Sequence, residues 1–68
     1  MSEQTGMAGA VAAAQAAFEA DPIVTGSPPG TPARRDRMRA IIAEVAIAWE
    51  VERMELTMAL AQGSVRGT

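Results

Sequence analysis

The chain contains no cysteine and no histidine. The first absence removes disulfides and thiolate metal sites; the second removes the common nitrogen ligand of metals and the side chain most often used as a general base near neutral pH. Lysine and tyrosine are missing too. The hydroxyls of Ser2, Thr5, Thr25, Ser27, Thr31, Thr57, Ser64 and Thr68 therefore have no His, Lys or Tyr to activate them, and nucleophilic catalysis lacks a base. Glu44, Glu52 and Glu55 could be imagined in acid/base work or around a hard metal, but carboxylates at such spacings are commonplace on solvated helix faces. A bundle di-metal site would need Glu-x-x-His, and a phosphate loop would need a Gly-rich turn after a strand; neither pattern is present. The chain reads as non-enzymatic, with no catalytic, cofactor-binding or metal-ligating residue expected.

Other scarcities narrow the partners. All six basic residues are Arg, the net charge is −2, and no basic surface dominates, so nucleic acid is not the expected partner. No apolar run reaches about 18 residues, because Glu44 and Glu50 interrupt the best candidate, so no membrane span is expected. The apolar segment from Met7 to Phe18 has signal-peptide length, but Ser2, Glu3, Gln4 and Thr5 before it carry no positive charge, and no secretion signal is read there. The expected setting is the cytoplasm or a macromolecular assembly. With 68 residues, the chain is below the roughly 70–80 at which a lone core begins to supply more than about 3–5 kcal/mol without a staple. Oligomerisation is the one staple left.

What is present is helix. The stretch from Thr31 to Gln62 reads as a single helix, opened by Thr31 and Pro32, closed at Gly63 and about 46 Å long at about 1.5 Å per residue. With Ile41 at the origin and 100° per residue, Met38, Ile41, Ile42, Val45, Trp49, Leu56 and Leu60 fall between roughly 0° and 100°. On the far side Ala40, Ala43, Ile47, Val51, Met54, Met58 and Ala61 make a second apolar stripe between roughly 200° and 280°, which predicts partners on two sides. The plainer account is that only one stripe is buried, since alanine and methionine tolerate exposure.

Before this helix, the alanine-rich segment predicts a first helix over about 5–20, capped by Ser2 or Thr5, with a narrow seam of Met7, Val11, Ala14 and Phe18. Pro22 should end it, leaving a connecting loop over 21–31 in which Ile23 and Val24 tuck back. A frayed tail is expected over 63–68. Arg34, Arg35, Arg37 and Arg39 crowd the amino end of the second helix, where the macrodipole disfavours cations, so Glu19, Asp21 and the carbonyl end of helix 1 should offset them. The rival reading makes those four arginines an anion contact.

The fold class is therefore all-α: an antiparallel two-helix hairpin, one short helix and one long, completed by a partner or a second copy. Phe18, Ile42, Val45 and Trp49 are the packing anchors. By length, helix 1 cannot reach the carboxyl half of helix 2, so Ile47, Val51, Met54, Leu56, Met58 and Leu60 form the expected partner surface. The function this implies is a structural or adaptor subunit of a larger protein assembly, of the secretion-apparatus or virion-component kind, acting through helix-helix packing. That is an architectural analogy, with no motif behind it. The alternatives are a small regulatory binder, such as an antitoxin or enzyme inhibitor, presenting an amphipathic helix, and a nucleic-acid-associated protein using the arginine cluster.

Overall fold

The computed structural model describes the backbone of residues 6–66 and the side chains of 6–62. The described residues are all-α, with four helices in the order α1 (Gly6–Ala20), α2 (Pro22–Gly26), α3 (Pro32–Trp49) and α4 (Arg53–Arg66). The proposed caps Ser2 and Thr5 lie outside the described residues.

The expected loop over 21–31 holds a short helix instead. Asp21 has extended backbone (φ −91°, ψ 121°), and its Oδ1 accepts from the amides of Ile23 (2.9 Å) and Val24 (3.2 Å). Pro22 follows at the first helical position, where its missing N–H costs nothing and its fixed φ helps. The proline that stops α1 thus starts α2. Of the two residues expected to tuck back, Val24 is buried and Ile23 is exposed. The connection then turns through Gly30, whose φ of +86° a side chain would disfavour. Thr31 caps α3 in backbone geometry, but its hydroxyl donates to the Pro28 carbonyl (2.8 Å) rather than to the helix.

The long second helix is two helices. α3 ends at Trp49, and Glu50 adopts a left-handed backbone (φ 56°, ψ 46°). The amides of Glu50 and Val51 turn back to the carbonyls of Ile47 (3.2 Å) and Ala46 (3.0 Å), and Val51 packs on the cluster that contains Ala46. This is a Schellman closure built without glycine. A non-glycine residue pays about 1–2 kcal/mol in that conformation. The gain that outweighs it lies in α4, where Leu56 is fully buried; burying one such side chain is worth about 1.5–3 kcal/mol before Leu60 and Val51 are counted. The longest dimension of the molecule is 37 Å, shorter than the unbroken helix would need. α4 also runs through Gly63 to Arg66, past the glycine expected to close it; a lone glycine weakens a helix by about 1 kcal/mol without having to end it.

The core is small-sided. Ala10 of α1, Ala46 of α3 and Leu56 of α4 form its centre, with Met7, Val11, Ile42, Val45, Trp49, Val51 and Leu60 packed around them. On α1 the buried residues are Gly9, Ala10 and Ala14, so the seam is rotated from the expected one, with Met7, Val11 and Phe18 on its half-buried flanks. Ala10 lies by the carboxyl end of α3, while Asp21 at the end of α1 reaches Arg37 near the start of α3. α1 and α3 therefore run in opposite directions, and α4 turns back to close the third side.

Candidate functional site

The arginine-rich start of α3 is divided between structural and open roles. Arg37 Nε donates to Asp21 Oδ2 at 2.6 Å, the one salt bridge among the described residues. This hydrogen bond, against the opposing desolvation and with help from the amides of Val24 and Ile23, holds the Asp21 carboxyl below the usual aspartate range; the same bond and the Asp21 charge raise Arg37. Arg34 Nε donates to the Val24 carbonyl at 3.1 Å, near the end of α2. The offset by Asp21 is thus present; Glu19 is exposed and in no salt bridge among the described residues. Arg35 and Arg39 remain exposed without an acidic partner among the described residues.

Where α4 folds back beside α3, the two helices enclose a groove of about 580 Å³. Arg34, Arg35, Arg39 and Arg53 rim it over an apolar floor of Met38, Ile42 and Met54, and no carboxylate lines it. A second lobe of about 430 Å³ adjoins, sharing Met38, Ile42 and Thr57 and adding Gln15 and Phe18 of α1 with Leu60 and Ala61 of α4. Three helices meet along this concavity. One end carries positive charge and the other is nearly all hydrocarbon, so its chemistry suits an amphipathic segment with acidic side chains.

The residues expected on the partner surface separate into two groups. Leu56 is fully buried, so it belongs to the chain's own core; α4 reaches the core because the break at Glu50 turns it back. Val51 and Leu60 are half-buried on that core. Ile47, Met54 and Met58 stand 79%, 67% and 59% exposed, and among the described residues these are the uncovered large apolar side chains of α3 and α4. Met54 lines the arginine lobe, Met58 lies one turn further along α4, and Ile47 lies over a shallower depression with Val51 and Arg53. Of the anchors, Ile42, Val45 and Trp49 pack on the central cluster at half burial, and Phe18 lines the apolar lobe. Arg53 was not foreseen at the site. Nothing in the linear sequence joins it to Arg34–Arg39; the reversal of α4 does.

Among the described residues no group of three or more acidic side chains gathers as a metal site, and no helix is long and apolar enough to cross a membrane. Neither a protein-family model, nor a curated protein, nor a solved structure matches this chain.

Proposed function

We propose that this protein is a non-enzymatic adaptor or structural subunit that packs helix against helix with a partner protein, and that the groove between α3 and α4 receives the partner. The observation that carries the reading is the arginine-rimmed apolar concavity lined by the exposed Met54, with Met58 exposed one turn further along α4. Methionine adapts to irregular surfaces, and an exposed apolar patch rimmed by charged side chains is the kind that marks a protein interaction site. The segment that fits carries aspartate or glutamate beside its apolar face; its charges would set encounter rate and orientation, and its apolar face the lifetime.

The regulatory-binder reading uses the same surface with the roles reversed, this chain then inserting a helix into a partner; a concave site favours the receiving role. Nucleic acid gains less support, because the floor of the arginine lobe is aliphatic and single-strand binding draws on aromatic faces for stacking. Photo-crosslinking in the native cell tests the proposal. A benzoylphenylalanine replacing Met54 should yield a discrete protein adduct, while the same group replacing Glu19 should not. Adducts to nucleic acid, or equal adducts from both positions, would overturn it.

A further inference from the structure

The joint between α3 and α4 is at odds with its own sequence. Glu50, Val51 and Glu52 include no glycine and no proline, and the residues on either side are helix formers, yet the chain breaks there with Glu50 in the left-handed region. Local preference is for one continuous helix. The break persists because α4 has a seat: Leu56 closes against Ala10 and Ala46, with Trp49, Val51 and Leu60 around it. If the joint straightened in a single chain, that face of α4 and the seat on α1 and α3 would both be left in water.

Two copies remove that obstacle. We infer that the chain self-associates by exchanging α4: the Glu50–Glu52 joint becomes helical, and Leu56 of each copy enters the seat formed by Ala10 and Ala46 of the other. The occupant has to be a second copy because the seat is shaped by this α4, so the exchanged pair restores the closed contacts and changes only the joint. Short joints under backbone strain favour this route to a dimer. At the joint the exchanged form gains on two counts, since Glu50 leaves the left-handed region and helical hydrogen bonds replace a turn. The groove described above is rebuilt in the pair from two chains, Arg34, Arg35 and Arg39 coming from one and Arg53 and Met54 from the other.

The test is the mass in solution by light scattering over a concentration series, for the unaltered chain, Glu50→Gly, Glu50→Ala and the double variant Met54→Glu/Met58→Glu. The unaltered chain should pass from one-chain to two-chain mass as concentration rises. Glycine accepts the left-handed backbone and disfavours the straight helix, and both effects count once per chain, so Glu50→Gly should raise the dissociation constant on the order of a hundredfold. Alanine should lower it by about twofold to fourfold through its better helix propensity. The double variant should still pair, because its altered side chains point away from the exchanged core. A one-chain mass for both the unaltered chain and Glu50→Ala would overturn exchange. A dimer that Glu50→Gly leaves unchanged would overturn it equally. Loss of that same dimer in the double variant would assign self-association to the exposed methionine face, leaving the proposed function standing.

Discussion

Leu56→Ala separates a chain that buries its own α4 from one that leaves the segment for a partner. Among the described residues Leu56 is the only large side chain that is fully buried, and it closes the central cluster against two alanines. Its buried neighbours Ala10 and Ala46 are methyl groups on helix backbones that cannot swing in, while the half-buried Met7, Trp49 and Leu60 around them close part of the space. Large-to-small changes of this kind cost about 2.7–5.0 kcal/mol, and with partial collapse we expect about 3–4 kcal/mol. Alanine is at least as good a helix former as leucine, so no part of that loss comes from propensity. A core of this size supplies about 3–5 kcal/mol in all, which puts the variant near its folding midpoint in plain buffer. The assay is urea titration followed by helix circular dichroism at a fixed low concentration. With a slope of about 1 kcal/mol/M for so small a chain, the midpoint should fall by about 3 M. Met58→Ala, at an exposed position on the same helix, should stay within about 0.5 kcal/mol of the unaltered chain. A Leu56→Ala midpoint within about 0.5 M of the unaltered one would refute the reasoning. So would equal losses for the two variants.

Three further outcomes follow from the same contacts. Asp21→Asn keeps an α2 cap but loses the charged contact with Arg37, so its melting temperature at neutral pH should be lower. Because the folded state holds the Asp21 carboxyl below its ordinary range, the unfolded chain binds more protons in that window, and this contribution is present above about pH 4 and lost as pH falls below it. The gap between the unaltered chain and Asp21→Asn should therefore narrow in acid; a gap that widened there would contradict the assignment. Trp49→Ala should cost about 2 kcal/mol, less than a fully buried indole, because Trp49 packs on the edge of the cluster at half burial; unshifted urea unfolding would show the ring to be idle. The double variant Met54→Glu/Met58→Glu should melt within a few degrees of the unaltered chain, by calorimetry, while no longer co-purifying the partner that photo-crosslinking identifies. Unfolding of that variant as a dilute monomer would place the two methionines in the core.

Much of the fold is legible locally. The Thr31–Pro32 start of α3, the alanine-rich α1 and the inward face of α3 carrying Met38, Ile41, Ile42, Val45 and Trp49 all follow from the proline at the first helical position, helix propensity and helical period. The pairing of Asp21 with the arginine cluster follows from the macrodipole and chain reversal. α2 was available too, since Asp-Pro is an N-cap followed by a first-turn proline, but the same proline also reads as a terminator. The break at Glu50 had no local signal: its residues favour helix, and the decision is made by Leu56 finding Ala10, a residue 46 positions earlier in the chain. Everything that depends on that break was illegible with it, including the burial of Leu56 and the arrival of Arg53 among the arginines of α3.

A core centred on alanines and one leucine also governs how the protein responds to temperature. The heat capacity of unfolding tracks the apolar surface newly hydrated; an average chain of this length would show about 0.8–1.0 kcal/mol/K, and methyl-lined helix contacts expose less than average. An unfolding enthalpy of about 50 kcal/mol or less near 60 °C spreads the transition over about 20 °C, so the folded fraction should slide with temperature instead of dropping at a threshold. A low heat capacity also removes most of the curvature from the stability curve on its cold side. Such a chain would gain margin steadily as it cools from body warmth to refrigeration, with cold denaturation pushed out of reach and its working population set by the gradual upper limb of the curve.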